Sequence, residues 1–376
     1  MMDRRKEDDT LRSLSSFDGS IDFLSNDYLG FATDEHLFSK TFQLLLKEGI
    51  ASNGSAGSRL LSGNHKLYGR LEAELNTFYK TEATLVFNSG YDANMGFFSA
   101  VPQRGDFMFY DEYVHASIRE GIRMSNAKGY SFAHNNLANL EERIQTITAK
   151  TEDGEQGEIY VVTESVFSMD GDSPNLTDLV KITTKNGYHL VVDEAHAVGI
   201  FGTNGEGMVP ALGLEKDVFA RTVTFGKAFG CHGAAILGST ALKEYLVNFA
   251  KSLIYTTALP PHTLATIITA HSYFRESGLE HTKKLKENIG FFNAQLIAHK
   301  VSSHFIVNET PIQSCMVPGA KKAKSVSKKL RDKGFNVKAI CAPTVPEGKE
   351  RLRFCIHSYN SKEEIGLLIN LLVNHL

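Results

Sequence analysis

Between residues 83 and 237, short apolar runs alternate with polar stretches of loop or helix length. This alternation narrows the fold more than any other feature of the chain. The runs fall at 83–87, 107–110, 158–163, 189–192, 222–224 and 234–237. Such spacing is the pattern of βαβ units, in which a largely parallel sheet is covered on both faces. In folds of that kind, binding groups collect beyond the carboxyl ends of the strands. The residues following the runs are therefore the ones to read. They are Asn88-Ser89-Gly90-Tyr91, Asp111-Glu112-Tyr113-Val114-His115, Glu164 with Ser168, Asp193-Glu194-Ala195-His196, and Lys227. Polar and ionisable groups stand at most of the expected strand ends.

The rest of the chain frames this region. Residues 1–40 read as an amino-terminal arm, with the turn-rich stretch Ser25-Asn26-Asp27-Tyr28-Leu29-Gly30. Residues 51–63 are too rich in glycine and serine for a regular element. Arg59, Leu60 and Leu61 in their middle argue for a packed loop rather than a linker. Leu67, Leu71, Leu75 and Phe78 then repeat at helical spacing. The pair Pro260-Pro261 interrupts helix and suggests a boundary. A long helical stretch over 262–299 follows, then a smaller α+β region that closes with a helix over 362–375. The expected organisation is an arm (1–40), a large domain (41–262) and a small carboxyl-terminal domain with its leading helix (263–376).

Composition excludes several classes of function. A formal charge of −3 over 376 residues gives no electrostatic case for nucleic acid or anionic membrane as partner. The charged opening lacks the apolar core of a secretory signal. No run approaches the roughly 18 apolar residues that span a bilayer. Cys231, Cys315, Cys341 and Cys355 are widely separated and form no CxxC pair, so reduced thiols in a cytoplasmic protein are expected.

The chemistry centres on an acid and a lysine. Asp193 ends the apolar run 189–192, where a bare carboxylate is costly and calls for a cationic or protonated partner. A nucleotide-binding P-loop is ruled out, because Gly226-Lys227 is followed by Ala228, lies downstream of the acid and has Arg221 at the first glycine position. No clustered His and acid spacing marks a metal site. The remaining reading is an acid that keeps a heterocycle protonated, opposite a lysine that carries an imine. Pyridoxal 5'-phosphate requires this pair, together with a phosphate cradle and a group to lie against its ring. Ser89-Gly90-Tyr91 at the start of an expected helix suits an anion. His115 or Tyr91 suits the ring face.

Four stretches carry a family resemblance that extends over nearly the whole chain. They are Asn26-Asp27-Tyr28-Leu29-Gly30, Gly57-Ser58-Arg59-Leu60-Leu61-Ser62-Gly63, Asp193-Glu194-Ala195-His196 and Thr224-Phe225-Gly226-Lys227. They resemble the α-oxoamine synthases, fold-type I pyridoxal phosphate enzymes that join an amino acid to an acyl thioester with loss of carbon dioxide. Residues 132–135, 166–172, 223–227, 254–257 and 343–346 are most similar to the members that act in biotin synthesis. That implies L-alanine and a pimeloyl thioester, carried by coenzyme A or an acyl carrier protein. The resemblance implies an α/β fold with a mostly parallel, seven-stranded central sheet, a smaller α+β domain, and a homodimer with shared active sites.

It also implies roles by position. Lys227 would form the Schiff base and carry the α-proton, Asp193 would pair with the pyridinium nitrogen, and His115 would stack on the ring. His196 would bond the ring's phenolic oxygen, and Ser168 would lie near the ring. Ser89, Gly90, Tyr91 and Thr224 would hold the phosphate, with Thr256 or Thr257 reaching in from the neighbouring subunit. Arg353 would bind the substrate carboxylate, Asn26 would contact substrate, and Arg12 is the arm arginine nearest to an acyl-binding role. Cys231 and His232 depart from the family's usual residues, and Cys231 reads as a core thiol. Three alternatives remain: a sister synthase of the glycine C-acetyltransferase or serine palmitoyltransferase type, an aminotransferase, and a non-catalytic scaffold of the same fold.

Overall fold

The protein is described from a computed structural model, over residues 2, 5, 14, 19–149 and 157–376. It divides into two compact units.

The larger unit comprises residues 31–167 and 173–279. Its sheet has seven strands: β1 Ala83–Phe87, β2 Phe107–Asp111, β3 Lys128–Phe132, β4 Ile159–Glu164, β5 His189–Asp193, β6 Ala220–Thr224 and β7 Ala234–Gly238. Their order is β1-β7-β6-β5-β4-β2-β3. The four pairings from β6 across to β3 are parallel, and β7 runs antiparallel to both of its neighbours. Apolar residues on successive positions serve opposite faces, as the two-residue period of a strand requires. On β5, Val191 joins the core that contains Phe87, Phe97, Met108 and Ile236. Leu190 and Val192 join the core that contains Phe109, Leu140, Val161 and Leu179. Both faces are therefore covered, and each of these side chains contributes about 1.5–3 kcal/mol by leaving water.

Six of the seven strands coincide with the apolar runs. β3 does not, because its sequence Lys-Gly-Tyr-Ser-Phe is that of an edge strand, with Lys128 and Gly129 exposed. Polar residues at an edge are tolerated, since only one side of the strand is paired.

The smaller unit comprises residues 1–30, 168–172 and 280–376. Four antiparallel strands, β8 Phe305–Ile306, β9 Ile312–Met316, β10 Lys338–Ile340 and β11 Arg351–Cys355, stand in the order β10-β11-β9-β8. A hydrogen bond from Cys355 N to the Phe23 carbonyl ties Phe23 to this sheet, and Ile21–Asp22 pairs with Phe335–Asn336 in a separate two-stranded ladder. The closing helix is Lys362–Val373, with a capping box between Ser361 and Glu364.

The units divide the chain after Gly30 and after Leu279, where the sequence reading places boundaries after 40 and 262. Packing accounts for the difference. Helix Glu35–Lys47 buries Leu37, Thr41 and Leu45 and packs on helix Pro261–Tyr273 within the larger unit. The expected helical stretch over 262–299 is interrupted by a π-helical turn at Phe274–Gly278. Beyond it, Phe292 meets Phe305 and Phe354 in the smaller unit.

Candidate functional site

In the larger unit, the strand ends bring the expected acid into a network of neutral partners. Asp193 is 7% exposed at the end of β5. Its Oδ2 accepts from Asn94 Nδ2 at 2.9 Å and its Oδ1 accepts from the Ala195 N–H at 2.9 Å. Asn94 lies one turn into helix Gly90–Ala100 and is itself fixed on two sides. Its amide donates to Ser117 Oγ at 3.0 Å, and its Oδ1 accepts from Thr222 Oγ1 at 2.9 Å. A buried carboxyl group needs such donors, and the two here are both neutral.

Ser117 links this network to His115. His115 caps helix Ala116–Met124, and its Nδ1 accepts from the Ser117 N–H and lies 2.8 Å from Ser117 Oγ. With Nδ1 accepting, the neutral imidazole carries its proton on Nε2. The His115 pKa is lowered. Loss of water around the ring is the main cause; Asp193 opposes it, and Lys227 and Arg119 reinforce it.

Glu164 stands beside Asp193, because the two are register partners on β4 and β5. It is 3% exposed and accepts from the His115 N–H at 2.5 Å. Burial, and then the charge of Asp193, push its pKa well above the carboxylate range, with Lys227 opposing. Two acids thus stand at adjacent strand ends, and it is Glu164 whose proton is held more tightly.

Lys227 is half-buried in the turn after β6, and the turn is anchored on both sides. Phe225 N donates to the Gly233 carbonyl and Cys231 N to the Phe225 carbonyl. Behind it, Phe229 stacks on His271 with centroids 4.2 Å apart and planes 12° apart. His271 bonds Tyr79 Oη and the Ile267 carbonyl, and burial lowers its pKa to about 4. Glu194, fully buried, is paired with Arg221 at 3.2 Å and accepts from Val209 N. Burial raises its pKa against the pull of Arg221. Cys231 is half-buried rather than in the core, and its thiol donates to the Phe229 carbonyl. His232 is exposed. His196 is buried on the turn beyond Asp193.

The residues expected to form an anion cradle lie on three segments. Ser89 caps helix Gly90–Ala100 by accepting from Asp92 N. A Cβ on Gly90 would lie 2.7 Å from Thr224 Cγ2, so a side chain there would separate the helix start from β6. Tyr91 is 47% exposed, whereas His115 has a hydrogen-bonded place in the network. Asn88 Nδ2 donates to Thr256 Oγ1 at 3.2 Å and to the Thr257 carbonyl at 2.7 Å. Thr256 and Thr257 are therefore held next to Ser89 of their own chain.

In the smaller unit a second constellation forms around Arg353, 7% exposed on β11. Its Nε donates to the Ser168 carbonyl at 2.7 Å, Nη1 to Cys355 Sγ at 2.9 Å and Nη2 to Asn26 Oδ1 at 2.9 Å. Asn26 Oδ1 also accepts from Tyr28 Oη at 3.0 Å. The structure thus brings together Asn26, Ser168 and Arg353, which lie far apart in sequence. Burial lowers the pKa of Arg353, but Cys355 and Tyr28 outweigh it and leave the guanidinium more firmly charged. Arg12 lies outside the described residues. Among the described residues no cluster of three or more metal-ligating side chains occurs.

Reading the sequence gives no role to Asn94, Ser117 or Thr222, and names Glu164 only as a strand-end residue. An asparagine among the small and apolar residues Ala93, Met95, Gly96, Phe97 and Phe98 is the one signal that points to Asn94, since a polar group on such a face needs partners.

Comparison with known proteins shows the family. The pattern of the family "Aminotransferase class I and II" matches residues 18–371. An 8-amino-7-oxononanoate synthase of Emericella nidulans is 41% identical, over 97% of this chain and 92% of that protein. One from Marinobacter nauticus is 39% identical, over 94% and 86%. Among solved structures, a serine palmitoyltransferase of S. paucimobilis with bound PLP and myriocin is similar, with a TM-score of 0.86 and 28% identity over 95% and 87%. The 8-amino-7-oxononanoate synthase of Francisella tularensis gives a TM-score of 0.77 and 30% identity over 94% and 97%. The chain belongs to the aminotransferase class I and II family, and within it to the α-oxoamine synthases that its sequence resembles.

Proposed function

We propose that the protein catalyses the reaction its relatives are named for. L-alanine and a pimeloyl thioester, on coenzyme A or a carrier protein, give 8-amino-7-oxononanoate, carbon dioxide and the free thiol, a step of biotin synthesis. The observation that carries this reading is the Asp193 carboxylate, buried and held by neutral donors among groups that sense Lys227.

The residues present fit pyridoxal 5'-phosphate. Asp193 offers an anion for a protonated ring nitrogen. The close contact between Gly90 and Thr224 keeps the start of the helix against β6, and a helix N-terminus suits a phosphate. Ser89, Gly90, Tyr91 and Thr224 would hold the phosphate, with Thr256 or Thr257 of a second subunit. His115 would cover a ring face, His196 would bond the phenolic oxygen, and Ser168 would lie near the ring. When bound, this cofactor supplies an electron sink for a carbanion at the amino acid's α-carbon.

The chain's own groups do the rest. Lys227 Nζ takes the α-proton and returns one to the product. Asp193 holds a proton at the ring nitrogen, kept in place by Asn94. Arg353, supported by Asn26, pairs the amino acid's carboxylate until it departs, a task suited to a planar guanidinium. Arg12 is assigned to the acyl substrate.

The assignment of 1–40 as arm, 41–262 as cofactor domain and 263–376 as small domain belongs to the same proposal. A homodimer is supported by apolar residues left exposed on one helix, Phe38, Phe42 and Leu46. A cytoplasmic setting is supported by four cysteines outside any disulfide. No helix among the described residues is long and apolar enough to cross a membrane.

The similarity to serine palmitoyltransferase favours one second reading, condensation of serine with a longer acyl chain. Both are tested by supplying alanine, glycine and serine with acetyl, pimeloyl and palmitoyl thioesters and measuring thiol release and product mass. Alanine with the pimeloyl thioester is expected to give the fastest release and the aminoketone. Pyruvate from alanine without thiol release would overturn the proposal in favour of amino-group transfer.

A further inference from the structure

The serine- and glycine-rich loop 51–63 has no part in the chemistry above, yet Arg59 in its middle is the centre of a buried clasp. Its Nη1 donates to Glu72 Oε1 at 2.8 Å and to the Val86 carbonyl at 3.1 Å, and its Nε donates to Asn64 Oδ1. Its guanidinium carbon lies 3.9 Å from the centre of the Tyr68 ring. Glu72 Oε1 accepts from Val86 N at 3.1 Å, and Oε2 is paired with Lys243 at 2.7 Å.

Val86 lies on β1, an edge of the sheet. An edge strand presents N–H and C=O groups that have no neighbouring strand to pair them. Here Glu72 takes the N–H and Arg59 takes the C=O, so two side chains replace the missing strand at the position leading into Asn88-Ser89-Gly90. The same clasp reaches the threonine segment. Tyr68, under the guanidinium, accepts from Leu259 N at 2.8 Å. Ala258 N donates to the Gly57 carbonyl, and Ser55 Oγ donates to the Ala258 carbonyl. Both sides of the Asn88–Thr256 contact therefore rest on Arg59, Glu72 and the loop they hold.

We propose that Arg59 and Glu72 are positioning residues for phosphate binding, which hold the segment Ser89–Gly90 for their own subunit's phosphate and the segment Thr256–Thr257 for that of the second subunit. The inference rests on the pyridoxal phosphate reading. Lysine cannot replace Arg59, because one ammonium cannot lie flat on Tyr68 while donating in a fixed fork to Glu72 and Val86.

The test is to strip the protein of cofactor and titrate it with pyridoxal phosphate and with pyridoxal, which lacks the phosphate, following near-visible absorbance. Wild type, Arg59→Met, Arg59→Lys and Glu72→Gln are compared. Arg59→Met leaves the Val86 carbonyl and Glu72 short of a donor and is expected to lower pyridoxal phosphate affinity about tenfold, with pyridoxal affinity unchanged. The preference for the phosphorylated ligand then collapses. If Arg59→Met does not fold by circular dichroism, Arg59→Lys is read in the same way. Unchanged affinities, or equal losses for both ligands, would overturn the clasp. A wild type that binds neither ligand contradicts the cofactor reading itself, whereas wild-type binding with unaltered variants overturns the clasp alone.

Discussion

The two constellations handle charge in opposite ways. Around Asp193 the ionisable groups are several and coupled: His115, Glu164 and Lys227 act on one another, with Asn94 and Ser117 as neutral linkers. Around Arg353 there is one permanent charge, and its donors go to a carbonyl, an amide oxygen and a sulfur. A region whose groups exchange influence through their protonation states suits proton movement. A guanidinium locked by neutral acceptors suits holding an anion of fixed shape. The difference separates the steps of the proposed reaction: proton transfer in the larger unit, carboxylate recognition in the smaller.

Substitutions that strike one region and spare the other sharpen this contrast. The largest effect is expected of Asp193→Asn. On the proposed reading it removes the charge that would keep the ring protonated, and turnover should fall about a thousandfold, as on loss of a main electrostatic stabiliser. The near-visible band of the bound cofactor should persist, and normal turnover would break the contrast at its centre. Arg353→Met should raise the KM for the amino acid about a hundredfold, since removing one partner of a buried charged contact is costly. Its cofactor spectrum should match wild type; a changed spectrum with an unchanged KM would reverse the roles of the two regions.

A smaller effect concerns the support of the lysine turn. His271 has a pKa of about 4, against an ordinary value of 6.5. Between these values the unfolded chain binds the extra proton, so stability rises with pH across the window and is lost as pH falls from 6.5 toward 4. The loss attributable to this group is roughly 3 kcal/mol. Urea unfolding at both ends of the window should show less pH dependence in His271→Gln than in wild type. Equal dependence would mean that His271 does not hold the turn in its neutral form.

What the sequence reveals of these regions follows from where their signals lie. Strands β2 and β4 to β7 are legible because central strands are apolar on both faces, and edge strand β1 because all five of its residues are buried, whereas β3 at the other edge loses that signal with Lys128 and Gly129 exposed. Asp193 and Lys227 are legible because strand ends concentrate polar groups. Asn94 is not, because its reach to Asp193, Ser117 and Thr222 depends on how a helix crosses the sheet. Likewise Arg353 reads as a binding arginine, but Tyr28 and Cys355 beneath it read as ordinary core residues. The packing of Thr41 and Leu45 also escapes the sequence, since they look no different whether they pack on one unit or the other.

The central claim is that Lys227 bonds covalently to the cofactor within this network. It is tested most directly by adding pyridoxal phosphate to wild type and Lys227→Ala at neutral pH and recording near-visible absorbance, with borohydride reduction and peptide mass to locate the adduct. The account predicts a band in wild type, its loss in Lys227→Ala, and a reduced adduct on the peptide that contains Lys227. An unchanged band in the variant, or an adduct on another lysine, would contradict it.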